Sequence, residues 1–388
     1  MIYAQKRRQI NRTKKIKNFF SLSAHGKKPD LVLIGTIFFI LVFGLMMLSS
    51  ASSVESFRKF GSTYYLFRRQ LLYGLLPGII LFFFFLNFNY KKLQNHLVLY
   101  LGLIIFLLVI VFVPGIGASY GRATSWINVA GFSLQPTEIV KLLLVLFLAG
   151  WFSQRSHEMN QDFWNGLLPF AIILGVISGL VVLQPDLGTL TVVVALSFMI
   201  YVVAGGRWRH IIGLFVLGLG GASALIAAAP YRAARLLTFI NPNLDPQGIG
   251  YHINQALLAV GSGGWFGMGL GQSRQKFAYL PEVMGDSIFA VIVEEIGFIF
   301  AAILIVAFIV LLLRGLKIAK ETNDDFARLV VVGIVSWFTL QAFFNIGAML
   351  GILPLTGIPL PFISYGGTAL MSSLAAAGIL ANISRDAS

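Results

Sequence analysis

The chain has 388 residues, 57% of them hydrophobic and only 11% charged, with a formal net charge of +14. A soluble domain carries roughly a quarter charged residues, so this composition excludes one and points to the membrane. The absence of cysteine excludes disulfides, iron–sulfur clusters and thiolate chemistry.

In chain order, residues 1–29 read as a basic cytoplasmic tail, with nine Lys/Arg in the first 28 positions. The apolar run that follows is too long for a signal peptide and lacks a small-residue cleavage site. A spanning helix needs about 20 mostly apolar residues. Such stretches predict about ten transmembrane helices, near 31–51, 70–87, 96–114, 137–152, 165–183, 188–204, 210–229, 287–313, 327–350 and 362–383. Residues 30–388 therefore read as a single all-α integral membrane domain. Its one long connection, 230–286 between the seventh and eighth spans, is rich in Gly, Pro and Asn but also apolar. A short interfacial helix is expected there over Tyr251–Val260. With the N-terminus inside, nineteen Lys/Arg fall on the inner side and nine on the outer, while Lys141 lies within a helix. Both termini are thus expected in the cytoplasm and 230–286 outside. This distribution fits contact with anionic membrane lipids and argues against a nucleic-acid partner.

Ionisable groups at membrane depth are costly unless paired or wet, so they are the first candidates for function. Glu138 and Lys141, at i and i+3, either satisfy each other or leave Lys141 to reach an anionic partner such as Asp286. Asp186, in Gln184-Pro185-Asp186-Leu187-Gly188-Thr189, reads as a structural turn. Asp286 opens the eighth span as a helix cap, as a carboxylate fixed for chemistry at the outer surface, or as both. Glu294 lies about 80° from Asp286 around that helix and Glu295 about 180°. Glu294 is therefore the one expected to share its face, and Glu295 reads as a buried structural acid. Arg232, Arg235, Arg274 and Lys276 make the outer segment basic. Solvent or lipid headgroups are their default surroundings, and they also suit phosphate. The five histidines are scattered, so no histidine metal site is expected. The glycines between Gly261 and Gly271 follow no strand and precede no Walker lysine, which excludes a nucleotide loop.

Several ordered motifs carry a resemblance. They are Trp126-Ile127-Asn128, Gln135-Pro136-Thr137-Glu138 with Lys141, Gln184 to Thr189, and Arg232 with Arg235. They continue through Gly261-Ser262-Gly263-Gly264, Gln275-Lys276, Leu280-Pro281-Glu282, Asp286, Glu294-Glu295-Ile296-Gly297 and Pro361-Phe362-Ile363-Ser364-Tyr365-Gly366-Gly367. Together they resemble the shape, elongation, division and sporulation family of peptidoglycan polymerases, on its FtsW side, with RodA the close paralogue. Two positions depart from the pattern. The family commonly has His-Thr-Asp-Phe where this chain has Met284-Gly285-Asp286-Ser287. It usually has Arg before the tryptophan, where this chain has Ser125, with Arg122 the candidate substitute.

The resemblance implies an inverting glycosyltransferase that polymerises lipid II during cell division and releases undecaprenyl pyrophosphate. It implies Asp286 as the essential acid, with Trp126 and Lys141 near it and Glu138, Glu282, Glu294, Arg232, Arg235 and Lys276 supporting. It also implies a class B penicillin-binding transpeptidase and other division proteins as partners, in the cytoplasmic membrane at the septum. For that chemistry one acid with either Arg/Lys or a divalent cation, Mg or Mn, suffices. A sugar hydroxyl must lose its proton as it attacks, so one carboxylate suffices as base. The pyrophosphate needs positive charge rather than a second acid. A lipid II flippase, a RodA-type elongation polymerase and a scaffold that only recruits a transpeptidase are the alternatives. Cysteine placed at Gln247 is expected to react with an impermeant thiol reagent in intact cells; labelling only after lysis would reverse the orientation.

Overall fold

The computed structural model describes residues 28–120, 123–129, 132–227, 230–241, 245 and 248–387. A helix lies over each of the ten expected spans. In chain order the helices begin with α1 (Leu31–Ala51), α2 (Ser53–Phe60), α3 (Tyr65–Asn87), α4 (Leu97–Val109) and α5 (Pro136–Ser153). They continue as α6 (His157–Gln161), α7 (Phe163–Leu183), α8 (Leu187–Val203), α9 (Trp208–Ala227), α10 (Pro230–Ile240) and α11 (Ile249–Gly263). The last three are α12 (Ile288–Glu321), α13 (Asp325–Met349) and α14 (Gly367–Ala387). Seven of these (α1, α3, α5, α7, α12, α13 and α14) are long and apolar enough to cross a membrane, and α4 and α8 are shorter apolar helices.

The helices sort by what their side chains meet. α5, α13 and α14 are buried along most of their length and form the centre. α14 is built largely of Ala, Ser and Gly, which lets backbones approach: Gly378 sits directly on the Phe82 carbonyl of α3. α4, α7 and α9 turn large apolar residues such as Phe106, Ile172 and Leu217 outward, the pattern of a lipid-facing surface. At the expected cytoplasmic end, Asp30 caps α1 through Leu33 N (2.8 Å) and pairs with Arg314 of α12 (2.7 Å). That pair ties the first span to the eighth.

Two features depart from the sequence reading. The first is a small antiparallel sheet between α4 and α5, in the order β1 (Gly117–Tyr120), β2 (Ala123–Val129), β3 (Phe132–Leu134). β2 is rich in β-branched and aromatic residues, which favour a pleated strand, and it carries Trp126 opposite Ala118.

The second departure concerns the long connection. It holds two helices, α10 and α11, and α11 extends beyond the short helix expected at Tyr251–Val260. α11 runs beside α12 in the same direction, with His252 level with Ser287 and Gly263 against the Val293 carbonyl. The chain then turns back at a break in α12, where Gly297 has φ 81° and ψ 177°. Met268 N and Gly269 N donate to the carbonyls of Glu294 and Glu295 (both 2.9 Å). Phe298 N and Ile299 N donate in turn to the carbonyls of Gly264 and Trp265 (2.9 and 3.3 Å). Glu294 lies eight residues past Asp286, about 12 Å along the helix. The connection therefore does not stand clear as a surface loop; part of it descends alongside α12.

Gly297 is irreplaceable in this arrangement. Its φ belongs to the left-handed region, and a β carbon there would collide with Gly267 N and the Trp265 carbonyl. Gly297→Ala is expected to cost about 1–3 kcal/mol, seen as a lower thermal midpoint of the purified protein. An unchanged midpoint would contradict the break.

Candidate active site

Asp286 lies in a tight turn in which Gly285 N and Ser287 N both donate to the Glu282 carbonyl (2.9 and 3.2 Å). Glu282 adopts φ 48°, uncommon for a residue other than glycine, so neighbouring contacts must hold the turn. They come from two places, the adjacent Ser364 and Tyr365 and the helix α13. Ser364 Oγ donates to Gly285 O (2.6 Å), Tyr365 N donates to Met284 O (2.8 Å), and Asn345 Nδ2 of α13 donates to Asp286 O (2.7 Å). Asn345 Nδ2 also donates to Ile358 O (2.7 Å), joining the turn to the 351–366 segment. From that segment Gly357 faces Asp286 Oδ2, at a distance where a β carbon would just touch it (3.9 Å).

The Asp286 side chain is not the helix cap. α12 begins at Ile288, its N-cap is Ser287, and no side chain caps it. The carboxylate is instead partly exposed in the turn, 3.5 Å from Ser287 Oγ. Burial among the turn's atoms pushes its carboxyl up to about 6, while the charge of Arg235 on α10 acts the other way. Glu282 is shifted upward as well, first by desolvation and then by the like charge of Asp286. His252 of α11 places Nε2 2.6 Å from Ser287 Oγ, and burial pushes its imidazole down to about 4, leaving it neutral near pH 7.

The remaining expected residues separate into groups. Lys141 is buried and donates to Glu138 Oε1 (2.7 Å) and Gln341 Oε1 (2.9 Å), and its Nζ lies over the Trp337 ring. Among the described residues it forms no ion pair with Asp286. Its link to the turn is indirect: Gln341 Nε2 donates to Pro359 O (2.7 Å) in the segment that faces Asp286. Asp186 caps α8, accepting from Thr189 N (2.9 Å) and Thr189 Oγ1 (2.7 Å). That turn places Gly188 directly against Thr356, and Thr124 N of β2 donates to Gln184 O (3.2 Å). Trp126 therefore belongs to the same side of the molecule as the 351–366 segment.

Glu294 and Lys276 are held by protein partners away from Asp286, so Glu294 does not share its face as expected. Glu294 accepts from Ser273 Oγ and Arg274 N, while Lys276 is buried and pairs with Glu295 (2.9 Å), where Ser50 Oγ also donates (2.7 Å). Neither is directed at Asp286, because residues 273–276 of the connection, not the helix face alone, decide where these side chains go. Arg235 is exposed. The side chain of Arg232 and the whole of Arg122 lie outside the described residues. No group of three or more His, Asp or Glu side chains converges among the described residues.

Sequence reasoning missed Asn345, Gln341, His252 and Ser287. Gln341 and Asn345 did leave a signal: two amides at i and i+4 in an apolar span share one face.

A family model described as "Cell cycle protein", for FtsW, RodA and SpoVE, matches residues 31–388. Stage V sporulation protein E of Bacillus subtilis (strain 168) is 43% identical over 357 residues, 92% of this chain and 97% of that protein. A probable peptidoglycan glycosyltransferase FtsW of Geobacter sp. (strain M18) is 36% identical over 356 residues, 92% of this chain and 96% of that protein. Among solved structures, a chain from "Structural coordination of polymerization and crosslinking by a peptidoglycan synthase complex" superposes with TM-score 0.76 at 28% identity. It covers 92% of this chain and 98% of that one. The rod shape determining protein RodA of Thermus thermophilus gives TM-score 0.65 at 27% identity, covering 92% and 97%.

The burial of Lys141 with Glu138 yields a test. Removing one partner of a buried pair typically costs about 3–5 kcal/mol. Lys141→Met is therefore expected to lower the thermal midpoint sharply, and Lys141→Met/Glu138→Gln to recover most of it. A Lys141→Met protein as stable as the parent yet inactive would instead place Lys141 on the substrate.

Proposed function

Because the chain belongs to the FtsW, RodA and SpoVE family of cell cycle proteins, we propose that it is a peptidoglycan glycosyltransferase that polymerises lipid II. The observation that carries this reading is Asp286: one carboxylate with a raised pKa, on a turn fixed by two other segments, beside a cationic side chain. In the proposed step, the acceptor sugar hydroxyl attacks the anomeric carbon of the donor. Asp286 takes the hydroxyl proton as the new glycosidic bond forms. The bond to pyrophosphate breaks, and undecaprenyl pyrophosphate leaves with the electron pair, its negative charge balanced by Arg235. Gly357 opposite Oδ2 leaves room for the approaching hydroxyl.

A lipid II flippase would need a polar path free to engage a moving substrate. Lys141, Glu294, Glu295 and Lys276 are each committed to fixed protein partners, which favours the polymerase. The protein is proposed to work with a class B transpeptidase in the cytoplasmic membrane at the division septum. That setting rests on relatives named FtsW and on the structural neighbour from a synthase complex. A relative named for sporulation, at 43% identity, makes spore wall synthesis the second reading. Depletion separates the two: filamentous cells indicate division, and normally dividing cells with defective spores indicate sporulation.

The activity test is direct. Purified protein, with its transpeptidase partner, incubated with lipid II is expected to yield glycan chains. Translocation of lipid II without chains would support the flippase. The base must be deprotonated to act, and its carboxyl titrates at about 6. kcat/KM is therefore expected to be level above that pH and to fall about tenfold per unit below it. An acidic limb near 4 would contradict a raised carboxyl.

A further inference from the structure

Resting on the reading of Asp286 as the base, we propose that His252 is a positioning residue that holds the Asp286 carboxylate through Ser287. α11 descends beside the start of α12, which brings His252 Nε2 to 2.6 Å from Ser287 Oγ; that oxygen lies 3.5 Å from Asp286 Oδ1. Ser287 has one proton, so the three groups form an ordered chain. With the imidazole N–H donating to Ser287 Oγ, the hydroxyl is directed to donate to Oδ1. Oδ2, facing Gly357, is then the oxygen left to accept the substrate proton. A donor to the ionised carboxylate favours the charged form that the base needs before attack.

The arrangement joins two remote parts of the chain. Ser287 stands where the family commonly has phenylalanine, and the imidazole comes not from the motif around Asp286 but from α11, 35 positions away. Among the described residues, the other charged groups acting here are Glu282 in the same turn, Arg235 on α10 and, on Glu282, Glu55 and Lys59 of α2. α13 presents the neutral Asn345, and the facing segment presents Gly357.

The test is the pH profile of lipid II polymerisation. Ser287→Ala and His252→Leu, which remove a donor, are each expected to raise the acidic limb of kcat/KM by roughly 0.5–1 pH unit. His252→Gln keeps an N–H donor without a titrating ring and is expected to leave the limb at the parent's position. Because the two residues act in series, Ser287→Ala/His252→Leu is expected to shift no further than either alone. An unmoved limb in both single variants, or two shifts that add, would overturn the role of His252. Asp286→Asn measured alongside separates the layers. If it retains activity, the base itself is misassigned; if it is inactive while the limbs stay put, only the His252 chain fails.

Discussion

The break in α12 at Gly297 sets the position of everything around the site. Within a membrane helix, a backbone group released from its i to i−4 bond must find another partner, because lipid offers none. Here the freed groups of residues 294–299 bond to residues 264–269. The carboxylates of Glu294 and Glu295 extend the same joint by taking Ser273, Arg274 N, Lys276 and Ser50. The descending segment is thus fastened at its lowest point by backbone bonds and a buried ion pair. From that point the turns of residues 271–285 lead the chain back to the Asp286 turn at the start of α12.

From this joint the division of labour among the acidic residues follows. Glu294, Glu295 and Glu138 are buried, and each carboxylate has strong hydrogen-bonded or ionic partners, as charges in low dielectric must have. Asp286 differs because its backbone, not its carboxylate, carries the structural load. Asn345, Ser364 and Tyr365 all grip main-chain atoms of residues 284–286. The side chain forms no ion pair within 4 Å among the described residues and has only a long contact to Ser287 Oγ, so it stays available for a proton.

Much of the architecture was legible because lipid imposes a coarse length rule. Runs of about 20 apolar residues locate helices whatever their neighbours do, whereas the i, i+3 spacing of Glu138 and Lys141 left open whether Lys141 pairs locally, as it does, or reaches Asp286. Asp286 stood out as an acid at a helix start. What escaped depends on contacts between distant segments. Glu294 was placed by its angle on a single helix, yet its partners come from residues 273–274, where the chain returns toward Asp286. Lys276 looked free for phosphate because nothing in its spacing shows the 19-residue reach to Glu295. His252 and Ser287 share no periodicity, so only the fold brings them together. The sheet at 117–134 was too short for its alternation to be seen against the flanking spans.

The central claim is that one carboxylate removes the acceptor proton while the surrounding turn only holds it. Its most direct measurement is lipid II polymerisation by Asp286→Asn, which keeps the shape and the backbone grips but cannot take a proton. Loss of a general base typically costs about 10²–10⁴-fold. A variant with the parent's thermal midpoint and a rate reduced by that factor is the expected result. Chains formed within a few-fold of the parent rate would contradict the claim.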